Sequence, residues 1–255
     1  MNFKEMHNQD KPLILCNVWN AASAQAAEKA GFLAIGTSSG AIAGSMGYED
    51  GEVITLSEMM HIVKSIAQAT SLPFTVDFES GYSTDPAEVA RNIEALAEIG
   101  VVGINLEDSR GSADRSLIPA EVYAENLETI RSLLQASDTE MFINARIDTY
   151  IMGVPDALAE TQRRIKLYEE AGADGVFVPF VQSTDDISVL AKSTDLPLNV
   201  LPLPQFPDFD GLSKLGVRRI SLADFLFKHM TTAMESAFSE VANGESCSSL
   251  FAGQK

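Results

Sequence analysis

The sequence predicts an α/β fold, specifically a (β/α)8 TIM barrel, from its length, its alternation and its lack of internal boundaries. Eight short apolar runs alternate with eight longer helical patterns along the 255 residues, the pattern of a parallel barrel surrounded by helices. No linker rich in Gly, Ser or Pro divides the chain, so we predict one domain over residues 1–255. A doubly wound open sheet is the alternative. The absence of a glycine-rich dinucleotide fingerprint after the first strand disfavours it.

The predicted elements follow one another in order. Strands are predicted at residues 13–17, 33–37, 74–79, 103–107, 142–146, 175–178, 198–201 and 219–221. Helices are predicted at residues 21–30, 57–70, 86–99, 119–136, 156–171, 184–192, 208–215 and 223–241. Glycines follow several helix ends, as at Gly31 and Gly100, where the left-handed conformation is easily adopted. Asp85 followed by Pro86 is a typical helix start.

Polar and apolar residues alternate in three of these strands, and a strand has a side-chain period of two. Apolar residues are therefore expected to face the helices, and polar ones a shared interior. The polar set is Thr75, Asp77, Glu79, Asn105, Glu107, Asn144, Arg146 and Asp148. Because an unpaired buried carboxylate is costly, converging acids imply a cation, a proton or an arginine among them.

The acids predict a site for a hard cation, since active sites of such barrels lie at the C-terminal ends of the strands. Asp77, Glu79 and Glu107 offer the oxygen ligands that Mg²⁺ prefers. No set of His and Cys residues has zinc spacing. For any single acid, a helix cap or an ion pair with Arg146 is the alternative.

Other strand ends supply candidate substrate contacts. Arg146 could clamp an anion through two hydrogen bonds, or pair with Glu79 or Asp148. Trp19 and Asn199 lie at the ends of the first and seventh predicted strands. No nucleophile elbow is present, so we expect metal-assisted, electrostatic chemistry.

Composition excludes several classes of function. A formal net charge of −18 should repel nucleic acids and anionic membranes. The two cysteines do not form a disulfide framework, and the polar start of the chain carries no apolar signal core. We expect a cytoplasmic protein.

Taken together, these residues resemble the isocitrate lyase/phosphoenolpyruvate mutase superfamily over roughly residues 17–221. The segments that carry the resemblance are SSG at 38–40 with GSMGYED at 44–50, VDFESGY at 76–82, LED at 106–108, NARID at 144–148 and GADG at 172–175. Their order and spacing are specific, although no single segment is.

The resemblance implies a divalent metal site and a chemistry. It implies Mg²⁺ held mostly through water by Asp77, Glu79 and Glu107, with Asp50 near the reacting group. Members make or break a C–C or P–C bond beside an α-keto acid through an enolate, whose charge a chelated Mg²⁺ stabilises.

The resemblance also implies a carboxylate site and an assembly. Ser39, Gly40 and Ala41 would bind the carboxylate of a small anionic α-keto acid, assisted by Arg146. The last helix would be exchanged between subunits of a homotetramer built as a dimer of dimers.

Departures from the family pattern narrow the prediction. Isocitrate and methylisocitrate lyases carry a catalytic cysteine in the loop after the fourth strand, but residues 109–117 contain neither Cys nor His. We therefore expect neither of those activities. Arg115 is the predicted closing residue of this loop, as a charge partner in place of a lysine. Pro179 lies where relatives often carry His or Glu.

Two functions remain open from the sequence. The first is a Mg²⁺-dependent lyase, decarboxylase or mutase that acts on an oxaloacetate-like or phosphonopyruvate-like substrate. This is the branch often labelled carboxyphosphonoenolpyruvate phosphonomutase. The second is a non-catalytic relative that binds a small dicarboxylate or an enolpyruvate compound. A structural oligomer without a ligand is disfavoured, because the inward acids would then have no purpose.

Overall fold

The strands of the computed structural model close into a barrel, as the sequence predicts; residues 2–111, 113–244 and 246–251 are described. The strands are β1 (Leu13–Val18), β2 (Ile35–Thr37), β3 (Phe74–Asp77), β4 (Gly103–Glu107), β5 (Ser109–Arg110), β6 (Ser116–Leu117), β7 (Phe142–Arg146), β8 (Gly175–Phe177), β9 (Leu198–Val200) and β10 (Val217–Ser221). Eight of them pair in parallel in the order β1-β2-β3-β4-β7-β8-β9-β10, and β10 pairs with β1. The other two, β5 and β6, form a short antiparallel hairpin after β4.

Helices connect the barrel strands. They are α1 (Ala21–Lys29), α2 (Ser39–Met46), α3 (Leu56–Ala69), α4 (Pro86–Ile99), α5 (Ala120–Ala136), α6 (Ala157–Glu170), α7 (Thr184–Lys192), α8 (Phe209–Lys214) and α9 (Phe225–Ala242). All eight predicted helices are present, with bounds that differ by at most two residues. Within the described ranges, no helix combines the length and the apolar character needed to cross a membrane.

Two elements were not predicted, helix α2 and the β5–β6 hairpin. Helix α2 consists mainly of small residues and has no amphipathic pattern to reveal it. Its ends are nonetheless well formed, because Ser38 accepts a hydrogen bond from the Ala41 N–H and Gly47 closes the helix at φ 80°. The hairpin strands have two residues each, too few for a period-two pattern.

The predicted start and end of α4 are confirmed by its caps. Asp85 accepts a hydrogen bond from the Ala87 N–H at 3.0 Å, and Pro86 occupies the first helical turn. Gly100 ends the helix at φ 100°. These local signals fix where the chain returns to the barrel at β4.

The two faces of the barrel strands have the predicted character. Val76, Ile104 and Ile143 are fully buried in the large apolar core between the barrel and the helices. The alternate residues Asn105 and Asn144 are buried too, but they hydrogen bond to each other inside the barrel at 2.9 Å. A polar column thus fills the barrel axis and leads up to the carboxyl ends of the strands.

Candidate active site

A pocket of about 200 Å³ opens at the C-terminal ends of the barrel strands. Asp50, Asp77 and Arg146 supply ionisable groups to its wall, and Ser39 and Gly40 supply polar backbone. This is the end at which barrels of this type carry their active sites.

Asp77 is held at the pocket wall by neutral donors. Its Oδ2 accepts hydrogen bonds from the Ser39 Oγ at 3.0 Å and the Ser39 N–H at 3.3 Å. Its Oδ1 accepts from the Asn105 Nδ2 at 3.2 Å. These donors orient the carboxylate and leave its charge without a direct cationic partner among the described residues.

Glu79 lies at the centre of the acid cluster. It follows β3 at φ 49° and is buried. Its Oε1 accepts from the Tyr82 hydroxyl at 3.3 Å, while its Oε2 has no hydrogen-bond partner among the residues described. Burial, followed by the charges of Asp50, Glu107 and Asp77, raises its pKa to about 8. A group in this environment holds a proton or faces a cation.

Asp50 extends the cluster into the pocket. A methyl group added at Gly40 would lie 3.4 Å from the Asp50 Oδ2, so the carboxylate occupies the space beside that glycine. Burial raises the pKa of Asp50, and the charge of Asp77 adds to the effect.

Glu107 and Asp148 share two arginines. Arg146 approaches Glu107 Oε2 at 3.0 Å and Asp148 Oδ1 at 2.8 Å. Arg115, from the β5–β6 hairpin, lies 3.1 Å from both Glu107 Oε1 and Asp148 Oδ2. The Arg146–Glu107 contact is close but lacks hydrogen-bond alignment, which leaves Glu107 Oε2 without a hydrogen bond from a described residue. Burial raises the pKa of Glu107, and both guanidinium groups oppose that rise.

A second layer fixes Asp148 from behind. The Asp148 N–H donates to Asp108 Oδ1 at 2.9 Å, and Asp108 Oδ2 accepts from Arg164 and Tyr168, each at 2.8 Å. The Ser109 hydroxyl also donates to Asp148 at 2.6 Å. The sequence analysis missed Arg164 and Tyr168 because they lie on α6, away from any strand end. Their spacing of four residues on one helix face was the available signal.

The N-terminus of α2 forms the second polar wall of the pocket. The first N–H groups of a helix have no intrahelical acceptor. Ser39 uses its N–H on Asp77, and Ala41 uses its own on the Ser38 hydroxyl. The N–H of Gly40 therefore remains without an acceptor among the described residues, at a residue that lines the pocket.

Some predicted contacts lie elsewhere. Trp19 packs edge-on against Phe227 in a neighbouring groove between α1 and α9. Asn199 is fully buried and exchanges hydrogen bonds with the Ser221 hydroxyl. The structure therefore does not bring Trp19 or Asn199 into the pocket with Arg146. Pro179 does line it.

Lys228 is a pocket residue that sequence reasoning missed. It lies on the first turn of α9, lines the pocket and pairs with Asp224 at 2.8 Å. Its only sequence signal was its place soon after the last barrel strand.

The acid cluster fits a hydrated hard cation by its chemistry. All candidate donors are carboxylate oxygens, and one of them, Glu79 Oε2, is buried without a hydrogen bond from the described residues. No three His, Cys, Asp or Glu side chains in the described ranges are arranged to hold a metal ion together. Mg²⁺ commonly keeps several waters and few direct carboxylate bonds, which suits this looser arrangement.

Comparison with known proteins identifies the relatives of this chain. The family model described as phosphoenolpyruvate phosphomutase matches residues 3–242. A crystal structure of a provisionally named phosphonomutase from Burkholderia cenocepacia J2315 superposes with a TM-score of 0.88 at 34% identity, covering 93% of this chain and 97% of that one.

Two relatives have named activities. Oxaloacetate decarboxylase 1 of Pseudomonas fluorescens is 30% identical, covering 85% of this chain and 75% of its own length. The 2-methylisocitrate lyase of Escherichia coli is 28% identical, covering 77% of this chain and 67% of its own length.

Proposed function

This chain belongs to the phosphoenolpyruvate phosphomutase family, within the isocitrate lyase/phosphoenolpyruvate mutase superfamily, and is an enzyme of the lyase or phosphonomutase type. On that premise we propose that it uses Mg²⁺ to make or break a C–C or P–C bond beside a small α-keto acid. The substrate is oxaloacetate-like or phosphonopyruvate-like. The observation that carries the proposal is the group of carboxylates at the strand ends beside Arg146 and the N-terminus of α2.

Mg²⁺ would be held by Asp77, Glu79 and Glu107, largely through water. Bound there, it would stabilise the negative charge that develops on the keto oxygen as the neighbouring bond breaks. The raised pKa of Glu79 supports this role, because a cation removes the repulsion among the acids that raises it.

The chain's own groups would bind and orient the substrate. The N–H of Gly40 and the guanidinium of Arg146 offer donors for its carboxylate. Asp148 holds the Arg146 guanidinium at 2.8 Å and so fixes the direction of the remaining donors. Asp50, whose pKa burial raises, reaches the same pocket and would hold or move a proton near the reacting carbon.

The β5–β6 hairpin would act as the lid. It carries Arg115 onto Glu107 and Asp148, at the rim of the pocket. Closing it excludes water and adds a fixed positive charge for a leaving carboxylate or phosphoryl group. The hairpin contains Ser112, which lies outside the described residues.

The lid residues do not support cleavage of isocitrate or methylisocitrate. Neither Cys nor His occurs in residues 109–117, and Arg115 cannot donate a proton at neutral pH. Electrostatic help alone would serve decarboxylation or phosphonate chemistry, in which the enolate needs charge stabilisation more than a strong acid.

A keto-acid panel tests the proposal. The purified protein is incubated with oxaloacetate, phosphonopyruvate, isocitrate and methylisocitrate, each with Mg²⁺ or with EDTA, and pyruvate or glyoxylate is measured. We expect pyruvate from oxaloacetate or phosphonopyruvate, lost in EDTA and restored by excess Mg²⁺. Robust glyoxylate release from isocitrate, or turnover that EDTA does not change, would contradict it.

We also infer that a second copy of this chain covers α9. No residue of α9 is buried, and its exposed apolar stripe comprises Leu226, Met230, Met234, Phe238 and Val241. Leu226 and Met230 line a groove of about 450 Å³ against α1. This arrangement supports an exchanged helix in a homo-oligomer.

Light scattering after size exclusion tests the assembly. The Phe238→Glu variant should dissociate, whereas Ser236→Glu, an equally exposed polar position on the same helix, should not. A monomeric wild-type protein would overturn the inference. The predicted cytoplasmic location remains a prediction.

A further inference from the structure

An arginine lies inside the barrel beneath the pocket. Arg219 extends from β10 and is buried to 2% exposure. In the ring of eight strands β10 stands opposite β4, so the side chain spans the barrel interior to reach Asn105. No role for it follows from its position in the sequence, where it is one of two consecutive arginines.

Arg219 has few partners for a buried cation. Its Nη2 donates to Asn105 Oδ1 at 3.2 Å and approaches Thr75 Oγ1 at 3.4 Å. Its Nε and Nη1 have no hydrogen-bond partner among the described residues, and no ion pair is present for it there. A buried charge without a direct counterion is costly, so structural stabilisation is a poor account of its presence.

Glycines make the interior wide enough for these polar groups. A methyl group at Gly36 would come within 3.1 Å of Thr75 Oγ1, and one at Gly175 within 2.9 Å of Asn144 Oδ1. Glycine within a strand often marks such close approach. The barrel interior thus accommodates a polar layer that an apolar filling would make unnecessary.

The contacts of Asn105 reveal what this layer does. Arginine has donors and no acceptor, so the Asn105 atom that faces Arg219 must be the carbonyl oxygen. Asn144 Nδ2 donates to the same oxygen at 2.9 Å. With its oxygen turned toward two donors, Asn105 presents its NH2 group to Asp77 Oδ1 at 3.2 Å.

We propose that Arg219 is a positioning residue that acts through Asn105 to orient Asp77 for the pocket. The proposal rests on the proposed function in that Asp77 is taken as a ligand of the divalent cation. Groups in this outer layer commonly change metal affinity 10–100-fold when removed.

Two possible roles of Arg219 predict opposite results. If it acted only as a charge, it would repel a bound cation, and its removal would tighten binding. If it positions Asp77, its removal weakens binding. Lysine separates the roles further, because it keeps the charge and loses the planar fork.

The test measures Mn²⁺ affinity of the protein without substrate by electron paramagnetic resonance, alongside thermal stability. We expect roughly tenfold weaker binding in Arg219→Met and a clear loss in Arg219→Lys. The matched control is Arg131→Met, because Arg131 bonds to Gly172 and Asp174 at the opposite end of the barrel. That variant should lose stability and keep its Mn²⁺ affinity.

A double-mutant cycle tests the route through Asn105. The double variant Arg219→Met/Asn105→Ala should bind Mn²⁺ no more weakly than Asn105→Ala alone. Additive losses would contradict the route, and unchanged or tighter binding in Arg219→Met would overturn the proposal. If Asp77→Ala leaves Mn²⁺ affinity unchanged, the metal assignment itself fails, which distinguishes the two failures.

Discussion

The two ends of the barrel treat buried polar groups in opposite ways. At the N-terminal floor, His7 donates to the Phe3 carbonyl at 3.0 Å and stacks on Phe142 at a ring distance of 4.5 Å. Burial, followed by the charge of Arg219, lowers its pKa to about 3, so it is neutral at physiological pH. At the C-terminal mouth, burial and mutual repulsion raise the pKa values of Asp50 and Glu79.

The difference separates structural groups from functional ones. The floor resolves its charges within the chain, as where Asp174 pairs with both Arg131 and Lys4. The mouth keeps carboxylate oxygens unpaired among the described residues. Natural sequences break the rules of polar burial mainly at functional sites, so the mouth is where a ligand completes the structure.

The largest expected effect comes from deleting one carboxylate at each end. Asp77→Ala should abolish Mg²⁺ binding and turnover and keep the fold, because it removes a ligand and also relieves repulsion. Asp174→Ala should do the reverse, with a lower melting temperature and unchanged Mg²⁺ affinity. Calorimetric titration and thermal melts check both, and unchanged Mg²⁺ affinity in Asp77→Ala would falsify the metal assignment.

A paired arginine substitution gives the next largest effect. Arg146→Lys should lower kcat/KM about 100-fold, or ~2.7 kcal/mol, because lysine lacks the fork that clamps a carboxylate. Its melting temperature should change little. Arg131→Lys at the floor is the control, with a stability loss and normal kinetics. Wild-type kinetics in Arg146→Lys would make Arg146 a structural partner of Asp148 alone.

Neutralising Glu79 should stabilise the cation-free protein. Its folded pKa of about 8 exceeds the ordinary 4.5. The folded state therefore keeps a proton that the unfolded chain has lost, and stability falls as pH rises from 4.5 to 8. Glu79→Gln should remove this loss and gain about 2 kcal/mol at pH 8. Urea unfolding in EDTA at pH 5 and pH 8 measures it, and equal stability of the two proteins at pH 8 would argue against a strained mouth.

Removing the lid charge should have a smaller effect. Arg115→Ala should reduce keto-acid turnover about tenfold, since the hairpin loses its contact with Glu107 and Asp148. Steady-state kinetics on the active substrate check it. Arg110→Ala is a matched hairpin control, because Arg110 bonds to the Ser83 carbonyl at 3.0 Å. Full activity in Arg115→Ala would leave the hairpin without a chemical role.

The floor gives the smallest effect. His7 has a folded pKa of about 3, below its ordinary 6.5. As pH falls from 6.5 toward 3, the unfolded chain takes up a proton that the folded state refuses, so stability is lost. His7→Phe should remain about 1 kcal/mol less sensitive to acid near pH 5.5. Parallel acid-unfolding curves for the two proteins would remove His7 from this account.

Much of this architecture could be predicted from local patterns. Period-two alternation identified the inward residues Asn105 and Asn144, and caps such as Asp85 located the helices. Family resemblance added Asp50. What could not be predicted depends on contacts between distant elements.

Arg219 shows this limit most clearly. Its neighbours in the sequence are those of an ordinary strand, and only barrel closure brings it to Asn105, 114 residues away. Arg164 reaches Asp108 in the same way, from a helix face that reads as solvent-exposed. Trp19 and Asn199 show the converse, since a place at a strand end did not determine which pocket the side chain joins.

The most direct test of the central claim is an anomalous difference map from crystals soaked in Mn²⁺. A single strong peak per chain among Asp77, Glu79 and Glu107 is the result this account predicts. A map without a peak at the mouth, at Mn²⁺ concentrations that support turnover, would contradict it.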